Sequence, residues 1–177
     1  MIKKTVAFPD RLPLHFRDAL PNDLPQIVEI YNSVVAGRMV TADTEPVTVE
    51  SRQLWFDQHE ARRRPLWIAM QQSETVGWVS FQSFYGRPAY QPTAEISIYL
   101  DEKYRGKGLG AECLQYAMDT CEKLAIKTLL AYVFAHNTAS LNLFKKKGFT
   151  EWGVFPRIAL IDGIEKTVII LGKRINA

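Results

Sequence analysis

The sequence has few cysteines and no long apolar run. Two of its 177 residues are cysteine, Cys113 and Cys121. Eight positions apart on a predicted helix, they would lie ~12 Å from each other, which is too far for a disulfide. The longest apolar run, 129–135, is far short of the ~20 residues that cross a membrane. The basic start, residues 1–4, is followed closely by Pro9 rather than by a secretory apolar segment. We therefore expect a cytoplasmic protein without disulfides or membrane spans.

Histidine is also rare, and the net charge is small. His15, His59 and His136 are widely scattered, and no spacing of histidine with cysteine is typical of a zinc site, so we expect no metal. The net charge is only +3, but residues 1–100 hold 10 basic and 11 acidic side chains, whereas residues 101–177 hold 12 basic and 8 acidic ones. The second-half excess coincides with a glycine-rich segment. It indicates an anionic ligand there or, alternatively, an unevenly charged surface.

Hydrophobic periodicity predicts one domain over 14–177, preceded by a lead-in at 1–13. The predicted order is β-α-α-β-β-β-α-β-α-β-β. The three central strands have no room between them for helices and should be antiparallel, whereas the later strand–helix–strand step allows a parallel crossover. Asp162-Gly163 is a strong hairpin signal. The predicted class is α/β with a mixed sheet and helices on its faces, with elements near 14–18, 24–35, 49–60, 65–71, 75–84, 93–100, 108–124, 128–135, 138–147, 149–157 and 166–174.

The segment 103–111, KYRGKGLGA, follows a predicted strand and opens a predicted helix. Its three glycines lack Cβ atoms, so backbone N–H groups can point at a ligand. The helix N-terminus adds partial positive charge, and Arg105 and Lys107 add full charges. The segment predicts a pyrophosphate cradle.

Other interpretations of this segment compete with the cradle. A Walker loop needs GxxxxGK followed by serine or threonine, which is absent. A Rossmann fingerprint matches GKGLGA, but it requires an acidic residue ~20 positions further on. No Asp or Glu stands between Glu122 and Glu151, and the upstream antiparallel strands disagree with a doubly wound fold. A glycine-rich turn without a ligand is the remaining alternative.

The motif RGKGLG at 105–110 resembles the R/Q-x-x-G-x-G/A signature of the GCN5-related N-acetyltransferase (GNAT) superfamily. The run Asn137…Ser140-Leu141…Lys147-Gly148-Phe149 resembles a later motif of that superfamily. More narrowly, the chain resembles the phosphinothricin and methionine-sulfone acetyltransferase branch. The resemblance covers about residues 14–172 and implies a GNAT fold with a mostly antiparallel sheet of about seven strands. The branch-like pieces are FRDALPNDLPQIVEIYN, TADTEPVTVESRQLWF and RPAYQPTAEISIYL.

The resemblance implies acetyl-CoA as co-substrate. In the family, pantetheine runs along the strand before the loop, and the pyrophosphate lies on the N–H groups of the loop. Asn137 is the expected partner of pantetheine amides, and Ser140 and Lys146 are further candidates near the cofactor. The run 145–147 is alternatively an ordinary charged helix end. The implied cofactor-binding set is Ile98, Tyr99, Leu100, Arg105, Gly106, Lys107, Gly108, Leu109, Gly110, Ala111, Asn137, Ser140 and Lys146.

Glu95 is the candidate catalytic base. Acetyl transfer needs a neutral amine, and an aliphatic ammonium with a pKa near ~10 must first lose a proton. Strand alternation should place Glu95 and Ser97 on one face and Ala94, Ile96 and Ile98 on the other. An acid in an otherwise apolar strand is costly unless it is partnered or functional. The branch keeps a glutamate here as its proposed base. A surface glutamate at a strand edge is the alternative.

Arg87 and Tyr90 are the candidate substrate-binding residues, because the branch has an arginine and a tyrosine at these positions. A guanidinium could hold a substrate carboxylate bidentately. The loop Val40–Glu45, with Thr41, and the pair Trp55-Phe56 would wall the acceptor pocket. The alternatives are a solvated turn at Arg87-Pro88 and simple core packing of the aromatic pair.

Two departures from the branch pattern matter. Phe144 stands where many relatives have a tyrosine that protonates the leaving thiolate, and where this branch often has histidine. Phenylalanine cannot donate, so the thiolate would leave unprotonated or take a proton from water. In addition, a basic-aromatic segment of the branch is replaced by LIDGIEKTV at 160–168, so specificity for phosphinothricin does not follow from the resemblance.

Taken together, these features predict a GNAT-fold N-acetyltransferase that acts on the amine of a small molecule. In this hypothesis Glu95 deprotonates the amine and strand N–H groups near 98–100 stabilise the oxyanion. Acetylation of a protein N-terminus or lysine, and a non-catalytic acyl-CoA-binding module, are the alternatives. Nucleic acid is not an expected partner, because the run Arg62-Arg63-Arg64 is short and lacks interleaved aromatics. The resemblance further implies a homodimer.

Overall fold

The computed structural model describes residues 12–175, so most of the predicted lead-in at 1–13 lies outside the described residues. The element order is the predicted one. No helix within 12–175 is long and apolar enough to cross a membrane. The strands are β1 Leu14–Asp18, β2 Leu66–Gln71, β3 Glu74–Ser83, β4 Thr93–Leu100, β5 Thr128–Phe134, β6 Thr150–Ile161 and β7 Ile164–Arg174. The helices are α1 Leu24–Val35, α2 Val49–Asp57, α3 Leu109–Thr120 and α4 Thr138–Lys146.

The strands form one seven-stranded mixed sheet in the order β1-β2-β3-β4-β5-β7-β6. The antiparallel arrangement of β2, β3 and β4 is confirmed, as is the parallel step from β4 to β5. That parallel pairing covers only three residue pairs and ends at Glu95 opposite Leu130. Because both strands continue past this point without pairing, a gap opens between them in the middle of the sheet.

Both faces of the central strands are covered, as strand alternation requires. One core contains alternate strand residues such as Val79 and Phe81 together with Leu114 of α3 and Phe144 of α4. The opposite core contains Trp78 and joins the sheet to α1 and α2. The two faces therefore carry different helices, and β3 and β4 contribute to both.

Two helices end three or four residues earlier than the sequence predicts. α2 ends at Asp57 rather than at residue 60, and the chain then turns back through a bridge between Glu60 and Arg64. α3 ends at Thr120 rather than at residue 124, because the chain turns towards β5 with Ala125 at φ +54°. The predicted hairpin is confirmed at residues 162–163, both of which have positive φ.

The connection 36–48 between α1 and α2 is a loop held against the rest of the fold. Arg38 donates to Asp162 of the β6–β7 turn at 2.8 Å, and its carbonyl lies 2.9 Å from Nε2 of His136. Asn32 of α1 exchanges two hydrogen bonds of 2.9 Å with Val47. The loop is thereby fixed beside the gap between β4 and β5.

Candidate active site

A large cavity of about 670 Å³ lies at the gap between β4 and β5; we call it the gap cavity. Its walls are the unpaired part of β4, the facing part of β5, the start of α3 and one side of α4. Val34 and Val40 close it on the side of α1 and the following loop. The cavity is lined by Ile96–Leu100, Arg105, Gly106, Gly108, Gly110, Ala111, Ala131–Val133, Asn137, Ala139, Ser140, Asn142–Phe144 and Lys146, besides the two valines.

The glycines give the gap cavity a backbone-lined end. Gly106 and Gly108 have φ of +73° and +77°, a conformation that residues with a Cβ rarely adopt. Gly108 is the N-cap of α3, so the first N–H groups of that helix have no partner within the helix. At Gly110 a Cβ would lie 3.2 Å from Leu143 of α4. The segment therefore forms the geometry of an anion cradle.

The side chains of this segment have different positions. Arg105 lines the gap cavity and donates to the carbonyl of Leu100 at 2.9 Å and to Ser33 of α1 at 2.7 Å. Lys107 instead lies over the ring of Tyr104, 5.4 Å from its centroid, and Leu109 is buried in the core. Leu109 can therefore contribute only its backbone to the cradle, whereas the side chain of Lys107 is exposed and does not line the gap cavity.

Asn137 lines the gap cavity but already has structural partners. Its Oδ1 accepts from the N–H of Ser140 at 3.1 Å and so caps α4. Its Nδ2 donates to the carbonyl of Met39 in the 36–48 loop at 3.0 Å. The amide retains one further N–H and one further acceptor position for a ligand. Ser140 and Lys146 also line this cavity, as does Phe144.

A smaller cavity of about 180 Å³ lies between the sheet and helices α1 and α2; we call it the face cavity. Its floor consists of three cross-strand pairs of β3 and β4 that share one face of the sheet. These pairs are Trp78–Tyr99, Ser80–Ser97 and Gln82–Glu95. The helices contribute Ile27, Val28, Tyr31, Arg52 and Trp55.

Glu95 lines the face cavity at the last β4–β5 pair, next to the point where the gap begins. Burial raises the pKa of its carboxyl above the ordinary value of 4.5. No described residue forms an ion pair with it that would offset this effect. The predicted alternation is observed, since Glu95 and Ser97 face this cavity while Ala94 and Ile96 belong to the opposite core.

The two cavities meet along β4. Ser97 and Tyr99 line both of them. Tyr132 of β5 lines the gap cavity near Glu95, and its pKa is raised first by burial and further by the charge of that carboxyl. A ligand group that enters the gap beside β4 would thus reach the neighbourhood of Glu95.

The structure separates some predicted substrate-binding residues from the cavities. Arg87 and Tyr90 lie in the exposed turn before β4 and line neither cavity; Tyr90 packs on the ring of Phe84. Thr41 is buried beside Tyr31 rather than in a cavity wall. Trp55, in contrast, lines the face cavity.

Several cavity residues were not among the sequence candidates. Arg52, Ser80 and Gln82 line the face cavity, and Tyr132 lines the gap cavity. The period-2 pattern of β3 could have indicated Ser80 and Gln82, because they alternate with buried apolar residues. No sequence pattern indicates Arg52, because its neighbours within α2 are also charged or polar.

Comparison with known proteins gives consistent results. The sequence pattern of the Acetyltransferase (GNAT) family matches residues 27–149. A Bacillus subtilis (strain 168) protein, "Putative phosphinothricin acetyltransferase YwnH", is 52% identical over 155 residues, which cover 87% of this chain and 94% of that protein. An L-methionine sulfoximine/L-methionine sulfone acetyltransferase of Pseudomonas paraeruginosa (strain DSM 24068 / PA7) is 31% identical over 143 residues, which cover 80% of this chain and 83% of that protein.

A crystal structure of a GNAT superfamily phosphinothricin acetyltransferase from Sinorhizobium meliloti, in complex with AcCoA, superposes with a TM-score of 0.85. It is 25% identical, and the match covers 92% of this chain and 88% of that chain. Acetyl-CoA also suits the residues present here, because the gap cavity combines an unpaired strand edge with a glycine cradle at a helix N-terminus. The family pattern, the relatives and the fold agree: this chain belongs to the acetyltransferase (GNAT) family, whose co-substrate is acetyl-CoA.

Proposed function

We propose that the gap cavity binds acetyl-CoA and that the face cavity binds a small primary amine, to which the acetyl group is transferred. The observation that carries this proposal is the position of Glu95, a partly buried carboxyl that lines the face cavity next to the point where the gap between β4 and β5 begins. A base is needed there, because the amine must be neutral to attack.

In the proposed reaction, Glu95 takes a proton from the bound ammonium, directly or through water. The amine nitrogen then forms a bond to the acetyl carbon and loses its second proton to water, the carbon–sulfur bond breaks, and coenzyme A leaves as the thiolate. Backbone N–H groups of β4 near 98–100 would stabilise the negative charge that develops on the acetyl oxygen. The cradle at 106–111 and the side chains of Arg105 and Lys146 would hold the phosphates.

The size of the face cavity supports a small acceptor. Its 180 Å³ is below the ~300 Å³ at which ordinary drug-sized ligand pockets begin. The relatives named for phosphinothricin and for methionine sulfoximine or sulfone suggest an amino-acid derivative as acceptor. The segment 160–168, which differs from the branch pattern, contains the β6–β7 turn. This turn contacts the 36–48 loop through Asp162 and Arg38. The segment would therefore influence the choice of acceptor only through that loop.

A thiol-release assay over amino acids, their sulfone and sulfoximine derivatives, polyamines and peptides tests the proposal. We expect turnover with small amino-acid derivatives and little with polyamines or peptides. Faster turnover with peptides would instead favour a protein acetyltransferase. Tight acetyl-CoA binding without turnover of any amine would favour a non-catalytic acyl-CoA-binding module.

We further propose a cytoplasmic homodimer that uses the outer face of the edge strand β6. Support comes from apolar side chains that β6 and the start of β7 expose, since an exposed apolar edge strand is normally covered. The two buried free cysteines agree with a reducing compartment. The exposed residues are Trp152, Val154, Phe155, Ile158, Leu160 and Ile164.

Light scattering after size exclusion tests the dimer. We expect a mass of about twice 20.2 kDa, and a folded monomer for the variant Ile158→Glu/Leu160→Glu. A wild-type chain that elutes as a monomer at tens of micromolar would contradict the dimer but would leave the proposed reaction intact.

A further inference from the structure

Tyr132 lies where β4 and β5 separate. The last pair of these parallel strands joins Glu95 to Leu130, and Tyr132 is two residues further along β5. The preceding pair, Ala94 and Leu129, belongs to the core that contains α3 and α4. Because side chains alternate along a strand, Leu130 and Tyr132 face the same side of the sheet as Glu95. Tyr132 also lines the gap cavity, so its side chain is at the start of the gap and on the side of the proposed base.

The hydroxyl of Tyr132 is available to a ligand. It forms no hydrogen bond with any residue of the range 12–175, and the residue is half-buried. Burial, and to a smaller extent the charge of Glu95, raise the pKa of this phenol above its ordinary value of 10.0. The hydroxyl therefore keeps its proton at neutral pH and can donate it in a hydrogen bond.

The sulfur of the thioester needs such a donor in the proposed reaction. The amine at Glu95 attacks the acetyl carbon, so the sulfur, which is one bond away from that carbon, would lie close to the start of the gap. Negative charge collects on the sulfur as the carbon–sulfur bond breaks. Phe144 lines the gap cavity, but its ring has no hydrogen-bond donor. A hydroxyl directed at the sulfur would stabilise the developing charge.

Tyr99 is a less suitable donor, although it lines both cavities. Its ring is stacked on that of Trp78, with the centroids 4.4 Å apart. It is four residues beyond Glu95 on β4, which corresponds to ~13 Å along a strand. Tyr132 is only two residues beyond the β5 partner of Glu95 and is therefore nearer to the site of attack.

We propose that the hydroxyl of Tyr132 donates a hydrogen bond to the sulfur of acetyl-CoA and stabilises the thiolate that leaves. This inference rests on the proposed function and adds a second catalytic residue to it. As the carbon–sulfur bond breaks, its electron pair moves to the sulfur, and the hydrogen bond from Tyr132 strengthens. The proton stays on the tyrosine, because a phenol with a raised pKa is a weaker acid than a thiol, whose pKa is ~8.5. Coenzyme A leaves as the thiolate and takes a proton from water.

The test titrates the thiol of coenzyme A bound to the protein, by the ultraviolet absorbance of the thiolate. Tyr132→Phe removes only the hydroxyl. It should raise the pH at which half of the bound thiol is ionised by ~1–2, the usual effect of one hydrogen bond to a charged group. The Kd of coenzyme A at about pH 6, where the thiol is neutral, should stay within about twofold of the wild type. A titration that is the same in both proteins would overturn the inference.

Kinetics with different leaving groups distinguish the sulfur from the acetyl oxygen as the partner of Tyr132. With acetyl-CoA, the kcat of Tyr132→Phe should fall roughly 10–100-fold. The short alkyl thioester S-acetyl-N-acetylcysteamine should show a similar loss of kcat/KM. S-acetyl-4-nitrothiophenol should lose less than about threefold, because its thiol is a much stronger acid and its thiolate is stable without a hydrogen bond. An equal loss with both short donors would assign the hydroxyl to the acetyl oxygen and refute the proposal.

Two further variants complete the test. Tyr116→Phe is the matched control, because Tyr116 is a tyrosine of α3 that lines neither cavity, and it should alter neither the titration nor kcat. Ser97→Ala removes the hydroxyl that lines both cavities on β4. A titration that changes in Ser97→Ala and not in Tyr132→Phe would assign the donor to Ser97 and contradict the inference. Failure of the proposed function is a different result: no amine is acetylated, whereas the titration of bound coenzyme A still decides the role of Tyr132.

Discussion

The gap cavity and the face cavity share strand β4 but are built from different parts of the chain. The gap cavity relies on backbone geometry, with an unpaired strand edge and glycines of positive φ at a helix start. The face cavity relies on side chains that alternate along two strands and on an arginine from α2. Backbone geometry suits a co-substrate with many polar groups along its length. Side chains are suited to discriminate between small acceptors, because changing one of them alters specificity without moving the sheet.

The largest effect is expected from a substitution in the face cavity that leaves the gap cavity unchanged. Glu95→Gln keeps the shape of the side chain but removes the base, so kcat should fall by roughly 10²–10⁴. The Kd of acetyl-CoA should be nearly unchanged, because the gap cavity remains intact. Steady-state kinetics and calorimetry on the same preparation check both expectations. An unaltered kcat would show that Glu95 is not the base.

The converse change affects the gap cavity alone. Gly108→Ala should raise the Kd of acetyl-CoA roughly 10-fold or more, because a Cβ disfavours the positive φ that aims the first N–H groups of α3. Gly163→Ala is a matched control, since Gly163 has the same φ of +77° but lies in the β6–β7 turn. Both variants should lose similar stability. If both lost affinity equally, or neither did, the cradle would be refuted.

The stability of the protein should also depend on the hydrogen bonds that hold the start of β4, the strand that both cavities share. Arg64 is buried, and its Nη2 donates to the carbonyls of Gln91 and Thr93, just before Glu95. Arg64→Met would leave these carbonyls unpaired and should lower stability by about 1–3 kcal/mol. Its exposed neighbour offers the control Arg63→Met, which should change the Tm little. A Tm for Arg64→Met equal to that of the wild type would show that this arginine does not hold the strand.

The smallest expected effect concerns the unpaired hydroxyl of the face cavity. Ser80→Ala removes a buried hydroxyl that has no hydrogen-bond partner within residues 12–175, so the free protein should be as stable as the wild type or more stable by up to ~1 kcal/mol. The acceptor KM should nevertheless rise a few-fold. Ser83→Ala, at an exposed position of the same strand, should change neither quantity. A clear loss of stability in Ser80→Ala would mean that the hydroxyl has a structural partner.

The sequence predicts the gap cavity better than the face cavity for a physical reason. A glycine cradle is a local feature of about nine residues, so its motif is visible at 103–111 without any tertiary structure. Hydrophobic periodicity likewise indicates the element order and the hairpin at 162–163, because both depend on near neighbours. Residues 121–124 continue the helical pattern of α3, but the tertiary turn towards β5 ends the helix earlier.

The face cavity depends on contacts between distant parts of the chain. Arg52 meets Glu95 in one cavity only because α2 packs on the strand floor, and no local pattern specifies that packing. Arg87, in contrast, is close to Glu95 in sequence and has the same guanidinium group as Arg52, yet it is exposed in the turn before β4 and does not line the face cavity. Resemblance to a family therefore indicates the strand and a candidate base, whereas the residues of the face cavity that come from α2 follow only from the three-dimensional arrangement.

The pH dependence of kcat/KM is the most direct test of the central claim that the partly buried Glu95 is the base at the boundary of the two cavities. A base works in its ionised form, so activity should fall as the pH drops through the pKa of this carboxyl. Because burial raises that pKa, the acidic limb should lie above 4.5, and it should be absent from the residual activity of Glu95→Gln. An acidic limb at the same pH in wild type and variant would contradict the account.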